Sequence, residues 1–353
     1  MKIGIAVLGV GRWGVHWVRN FLHHPQAEIV AIVDPDISRL NYCCQELGID
    51  EKQVLLTTDW QAIKQLNNLT GIVVATPAIT HYKIIQDALN SGYHVLAEKP
   101  LTLNPQESIS LNQLAKDKQL QLLVDHTYLF NAAVQKGKEV VESGKLGNLR
   151  YGYSSRTHLA PVRQDVDALW DLAIHDIAIF NAWLAESPSQ VQAKGTTWLQ
   201  PKQTMEFGES AIQVGLPDLV WLTLIYPSGF VAYIHLCWLN QDKQRKLVLV
   251  GEKASLIFDE LAKKSPLTLN KGYFQKQGAK FIPQGVATET IEFSATEPLA
   301  SVCDRFIQNI QTPQANENYS SGYVAAELVQ ILTCLSYSLA ENGKITDVPK
   351  INK

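Results

Sequence analysis

Six residues near the amino terminus, Gly9-Val10-Gly11-Arg12-Trp13-Gly14, constrain this chain more than any other stretch. Glycines spaced Gly-x-Gly-x-x-Gly occur in many turns and by themselves say little. Here they lie between "KIGIAVL", a short apolar run, and "GVHWVRNFLHH", a helical-looking segment that stops at Pro25. A strand that turns through glycines directly into a helix lets the backbone approach a pyrophosphate, whose charge the helix N-terminus favours. Asp34 ends the next apolar run, "AEIVAIVD", about 20 residues after Gly14. A carboxylate there accepts hydrogen bonds from an adenosine ribose and repels the 2'-phosphate of NADP. The expected cofactor is therefore NAD, bound by Gly9, Gly11, Arg12, Trp13, Gly14 and Asp34. Arg39 reads either as a partial counterweight to that repulsion or as a solvated helix arginine.

The alternation continues. A helix over "ISRLNYCCQELG" ends at Gly48, and "TGIVVATP", "KIIQDALNSG", "HVLAEKP", "NPQESISLNQLAKDKQ" and "LQLLVDHTY" follow as strand, helix, strand, helix and strand. Strands this uniformly apolar are buried on both faces, which predicts a doubly wound parallel sheet covered by helices, a Rossmann dinucleotide-binding domain over 1–126. In such a sheet ligands bind beyond the carboxyl ends of the strands. "ATPAITH", Ala75 to His81, falls there, and reads either as a loop lying along the cofactor or as an ordinary strand-to-helix turn. On the first reading Ala75, Thr76, Pro77 and His81 join the cofactor site, as Glu98 and Lys99 at the next strand mouth are expected to do. "AEKPL" falls there as well: Glu98 and Lys99 follow an apolar strand directly, and Pro100 biases Lys99 away from helical geometry, keeping it at the strand mouth. A lysine so placed can bind a substrate hydroxyl and steady the alkoxide that develops as hydride leaves, or simply pair with Glu98. Its bond to Pro100 is a candidate for the cis form.

A second constellation lies in "LWDLAIHDIAIFNAWL", Leu169 to Leu184. On a helix Asp171 and His175, four apart, share one face of an otherwise apolar segment. Asp171 either helps start the helix beside a core histidine, or orients a general base.

Taken in order, "GVGRWG" followed by "RNF", Asp34, "ATP" with His81, "EKPL" and "LWDLAIHD" resemble the glucose-fructose oxidoreductase, inositol dehydrogenase and MocA family over nearly the whole chain. The resemblance implies a catalytic group of Lys99, Asp171 and His175. "GKLGNLRYGYSSRTHLAPVRQDVDALWDLAIHD" is most similar to the branch of NAD-dependent UDP-N-acetylglucosamine or UDP-N-acetylglucosaminuronate 3-dehydrogenases, by Arg156, Arg163, Asp167, Trp170, Asp171, His175 and Asp176. Three positions depart from that branch: Ile174 stands where proline is common, His158 lies between the arginines, and Asp125 precedes His126 where glycine is usual. A nucleotide sugar carries a diphosphate that planar arginines bind bidentately, which makes Arg156 and Arg163 candidate substrate ligands; surface solvation is the alternative. Trp170 either stacks on a substrate ring or packs in the core. The implied reaction is oxidation of a sugar C3 hydroxyl. A free polyol or hexose of inositol type, and a non-catalytic NAD and sugar sensor, remain as alternatives.

From Tyr151 onward the rhythm changes to strands with turn signals between them: "LRYGYSSRTH", "SQVQAKGTTWL", "DLVWLTLIYP", "FVAYIHLCWL" and "RKLVLVGEKASLIFD". "YPSGF" has the residues of a hairpin turn. The expected second domain, 127–345, is an α+β substrate-binding and oligomerisation domain on a largely antiparallel sheet, followed by a tail over 346–353. Both alternate sets of "FVAYIHLCWLN" contain apolar residues, so both faces are expected to be covered, one by helices and the other by a second subunit in a homodimer or homotetramer.

Composition excludes other classes. With 31 Lys and Arg against 34 Asp and Glu, the net charge of -3 provides no long-range attraction to nucleic acid or an anionic membrane. Five cysteines with no Cys-x-x-Cys suggest neither a disulfide framework nor a thiolate metal site, and point to a reducing cytoplasm. No metal is implied. The start could pass for a signal peptide, but its apolar stretch runs into the glycine motif with no cleavage site after it. No apolar run is expected to span a membrane.

Overall fold

The computed structural model describes residues 2–159, 161–164, 166–201, 205–207, 210–212, 215–312 and 320–351. The chain divides into two compact units, residues up to 130 with 296–329, and residues 131–295 with 330–352.

The first unit is built on six strands, β1 (Ile3–Leu8), β2 (Ala27–Val33), β3 (Leu55–Thr57), β4 (Leu69–Val74), β5 (His94–Ala97) and β6 (Leu122–Val124). All neighbours are parallel, in the order β3-β2-β1-β4-β5-β6. That is the order of a doubly wound dinucleotide fold, and it reverses between β1 and β4, where a crevice opens at the strands' carboxyl ends. Helices α1 (Gly14–Leu22), α2 (Ile37–Leu47), α3 (Ala78–Asn90) and α4 (Pro105–Asp117) connect the strands. Local chemistry sets their limits. The Asp36 side chain accepts from Ser38 N at the start of α2, and Gly48 closes it in the left-handed region at φ 63°. Asn104 caps Gln106 N ahead of Pro105, which needs no donor in a first turn.

Residues 296–329, expected in the second domain, cluster with the first instead. The reason is packing that no local pattern announces. The helix Pro298–Gln311 lays Phe306 so close to β4 that a Cβ on Gly71 would lie 3.1 Å from its ring. Val124 N, at the end of β6, donates to Ser320 O at 2.9 Å. The helix Gly322–Ala340 is, among the described residues, long and apolar enough to cross a membrane, contrary to the expectation that no such run exists. Its apolar side chains are core: Ala325, Ala326, Val329, Ile331, Leu332 and Leu335 are fully buried.

The second unit contains α5 (Ala132–Glu142), β7 (Leu149–Leu159), α6 (Ile174–Leu184), β8 (Gln190–Thr196), β9 (Met205–Phe207), β10 (Ser210–Ile212), β11 (Leu219–Ile225), β12 (Val231–Cys237), β13 (Leu239–Gly251), β14 (Ala254–Asp259), β15 (Leu267–Gln277), β16 (Lys280–Thr290) and β17 (Thr346–Asp347). Nine strands form one sheet in the order β16-β15-β14-β13-β7-β12-β11-β8-β17, and β9 with β10 form a separate pair. Only β7 and β12 run parallel within the large sheet, so the largely antiparallel expectation holds. The Pro-Ser-Gly turn joins β11 to β12, with Gly229 at φ 86° and Tyr226 N bonded to Phe230 O at 2.9 Å. Two features lie outside the sequence expectation: the β15–β16 hairpin, and the pairing of Thr346 and Asp347 with β8, which makes part of the supposed tail an edge strand.

One face of this sheet packs on α6. A Cβ on Gly152 of β7 would stand 2.6 Å from Phe180, so glycine is what admits the helix. Val220, Leu222, Ala232, Ile234 and Leu236 share the buried face. The opposite face carries Tyr151, Tyr153, Trp221 and Tyr233, each more than 40% exposed, with Trp221 stacked on His235 at a ring separation of 4.1 Å. Among the described residues, then, that aromatic face is left uncovered.

Candidate active site

The glycine loop begins where β1 ends. Gly9 has φ 85°, and a Cβ there would lie 2.8 Å from Ala75 O; one on Gly14 would collide with Gly9 O at 1.8 Å. Both glycines are required by the chain's own close approaches. Gly11 differs, because a Cβ on it would meet only the Arg39 guanidinium, at 3.8 Å. Space is kept in front of that backbone, as a pyrophosphate approaching α1 needs. Arg12 and Trp13 are exposed beside it, the guanidinium 5.8 Å from the indole centroid.

Asp34 is 2% exposed and ties the loop to β2: Oδ2 accepts from Val10 N at 2.8 Å and Oδ1 from Asp36 N at 2.9 Å. Arg39 Nη1 stands 3.8 Å from Asp34 and its Nε 3.6 Å from Asp36. A carboxylate has about four lone-pair positions, so capacity remains for ribose hydroxyls. These residues fit NAD.

Ala75, Thr76 and Pro77 follow β4 at the crevice and are partly or fully exposed. His81 is corrected. It is 1% exposed, with Nδ1 3.0 Å from Pro100 O and Nε2 2.8 Å from Thr76 O. Burial lowers its affinity for a proton despite the carbonyls. Its ring braces the loop after β4 against the turn after Lys99, leaving no nitrogen for a cofactor. Glu98 and Lys99 sit half-buried at the mouth of β5, and the Lys99–Pro100 bond is cis. Glu98 Oε1 accepts from Trp17 Nε1 at 2.9 Å, an anchor on α1 that sequence reasoning missed. An apolar helix position 81 residues away carries no local sign of that contact.

In the second unit, a wide turn of the helix over Leu169–Ala173 leads into α6. Such i→i+5 turns are rare and concentrate at functional sites. Asp167 starts it, accepting from Trp170 N at 2.9 Å, and burial pushes its carboxyl up to about 7. Asp171 is held by two side chains: Arg163 Nη1 lies 3.3 Å from Oδ1, and Trp238 Nε1 donates to Oδ2 at 3.2 Å. His175, four residues on, is half-buried. The Asp171 carboxylate is thus oriented by donors from the segment before the helix and from the end of β12. Trp238 is the second residue the sequence reading missed, 67 positions from its partner.

Two proposed substrate ligands are corrected. Arg156 is 4% exposed on β7, its Nη2 2.7 Å from Asp176 Oδ1, while Ser154 Oγ donates to Asp176 Oδ2 at 3.2 Å. A guanidinium committed to a buried carboxylate pins α6 to the sheet and is not presented to a phosphate. Trp170 is 1% exposed and its Nε1 donates to Ser336 Oγ at 2.9 Å, so it is core. Arg163 remains half-exposed. His158 sits on β7 where the pairing with β13 slips between Leu239 and Gln244, and burial with Arg245 nearby lowers its proton affinity.

Residues 3–126 match the family model of the oxidoreductase family with NAD-binding Rossmann fold, and residues 134–257 match its GFO/IDH/MocA C-terminal domain. Over 250 residues the chain is 25% identical to UDP-N-acetylglucosamine 3-dehydrogenase of Acidithiobacillus ferrooxidans, covering 69% of this chain and 71% of that one. It is 26% identical over 200 residues to scyllo-inositol 2-dehydrogenase (NAD(+)) of Bacillus subtilis, covering 55% of this chain and 57%, little more than half, of the relative. The structure of an inositol dehydrogenase homolog from Azotobacter vinelandii, complexed with NADH and myo-inositol, shares the fold at a TM-score of 0.80 and 19% identity, covering 98% of both chains.

Proposed function

Because this chain belongs to the GFO/IDH/MocA family of NAD-binding oxidoreductases, we propose that it moves a hydride between a sugar ring carbon and nicotinamide. The observation that carries the reading is the doubly held Asp171 carboxylate one helical step from His175. NAD supplies the hydride acceptor when bound in the glycine-loop crevice. His175 takes the hydroxyl proton, Asp171 orients the imidazole and favours its charged form, and Lys99 steadies the oxygen as negative charge builds on it.

The substrate we propose is a UDP-N-acetylhexosamine or its uronate, oxidised at C3. Likeness to the UDP-N-acetylglucosamine 3-dehydrogenase and the half-exposed Arg163 support it. A second reading, a free polyol, is favoured by the commitment of Arg156 to Asp176, which removes one of two expected phosphate ligands. The experiment is a thermal-shift screen with NAD present, comparing UDP-sugars with free sugars and inositols, and NADH absorbance as the second readout. A ligand at 100 times its Kd adds roughly 2.7 kcal/mol of stability. Stabilisation by UDP-sugars with NADH formed is expected. Response to free polyols alone would replace the substrate, and binding without NADH across the panel would leave a sensor.

We further propose a homo-oligomer in a reducing cytoplasm. All five thiols are buried and unpaired, which suits that compartment. The uncovered aromatic face of the nine-stranded sheet is the surface for a second copy. Sedimentation at micromolar concentration should show a dimer or larger; a monomer would remove this part of the proposal.

A further inference from the structure

β5 and β6 are neighbours, and their mouths bring together residues that the reaction sketched above leaves unused. Asp125 N donates to Ala97 O at 2.8 Å, which sets Asp125 beside the Glu98–Lys99 step. Its side chain is buried at 3% exposure, and Oδ1 accepts from Thr127 Oγ1 at 2.8 Å. His126 follows at 2% exposure with, among the described residues, no hydrogen-bond partner on either ring nitrogen. A buried carboxyl at this strand mouth demands a reason, since burying an ionisable group disfavours its charged form.

The groups around it supply one. Glu98 and Lys99 act on Asp125 from the mouth of β5, and Cys303 lies within electrostatic reach on the helix Pro298–Gln311. Burial and the Glu98 charge push the Asp125 carboxyl well up, while Thr127 and Lys99 oppose them. Burial and Lys99 push the His126 imidazole down to about 3, so the ring within electrostatic reach of the lysine is neutral. A lysine at this mouth has reasons to lose its proton: partial burial and, with NAD bound, the positive charge of nicotinamide. It can steady an oxyanion only while protonated.

We propose that Asp125 is a positioning residue for Lys99, a buried carboxyl at the neighbouring strand mouth that keeps the lysine's head group and its proton at the mouth of β5. The proposal rests on Lys99 as the oxyanion-steadying group. It adds that this chain carries, after β6, a counter-charge to the ammonium. When Asp125 is ionised it favours the ammonium, so its removal lets Lys99 release its proton at lower pH. Glu98, anchored by Trp17, stays in every variant and sets the remaining balance.

The test reads Lys99 itself, without any sugar. Intact protein is acylated with a small reagent across a pH series and labelling is followed peptide by peptide, with the exposed Lys52 and Lys83 as internal references. In the wild type the Lys99 midpoint should be no lower than theirs. In Asp125→Asn and Asp125→Gly it should fall, so that at fixed pH below the midpoint the free-amine fraction rises about tenfold for each unit. NAD binding and unfolding temperature certify that the variants are folded, and where an active substrate is known the basic limb of kcat/KM should move with the midpoint. An unchanged Lys99 midpoint in a folded variant overturns the proposal. So does a wild-type midpoint well below the references, which needs no variant to fold. Absence of sugar oxidation by the wild type would count against the proposed function and leave the labelling result standing.

Discussion

Replacing His175 by asparagine is expected to lower turnover about a hundredfold or more, the scale of a lost general base, with NAD affinity nearly unchanged. The two expectations come from different places in the chain. The cofactor contacts proposed lie in the glycine loop, around Asp34 and at the mouths of β4 and β5, all in the first unit. His175 is on α6 in the second unit, one helical step from an acid held by Arg163 and Trp238. Asparagine keeps a polar side chain of similar size but cannot take up a proton in the neutral range. Initial rates of NADH formation, set beside NAD titration by tryptophan fluorescence, separate the effects. Turnover equal to the wild type would remove His175 from the reaction. A large loss of NAD affinity would instead show that the substitution disturbs more than proton transfer.

The parallel half of the fold is legible because its signals are local. Uniformly apolar strands, a glycine loop between strand and helix, and the caps at Asp36, Gly48 and Asn104 each act within a few residues. What was hidden depends on distant partners. Phe306 against Gly71 and Ser320 against Val124 draw residues 296–329 into the first unit, and neither end of those contacts looks unusual in the sequence. The site shows the same division. Asp171 and His175 stand out as polar residues in an apolar helix, but Trp238 and Trp17, which hold Asp171 and Glu98, look like any core tryptophan. Arg156 was misread because a lone arginine on an alternating strand does not reveal that Asp176, 20 residues on, turns to meet it. An aspartate directly after His175 on an apolar helix was the available sign: a charge so placed needs a partner.

That ion pair supports the second large prediction, this one on stability. Arg156 and Asp176 are both nearly inaccessible, and their 2.7 Å contact joins β7 to α6. Removing one member strands the other charge in a medium that solvates it poorly, so Asp176→Ala or Arg156→Ala should destabilise the second unit by about 3–5 kcal/mol. Replacing both by apolar residues of similar volume, Arg156→Met with Asp176→Leu, should recover most of that loss, because no unpaired charge remains. With two compact units the chain need not unfold in one step, so the transition to follow is that of the second unit, reported by its tryptophans. The double variant also separates anchor from ligand. If Arg156 serves only to seat α6, the folded double variant should keep its affinity for whichever UDP-sugar stabilises the wild type. A double variant that is stable but loses that affinity would return Arg156 to the substrate site, and single variants as stable as the wild type would show that the pair does not hold α6 to the sheet.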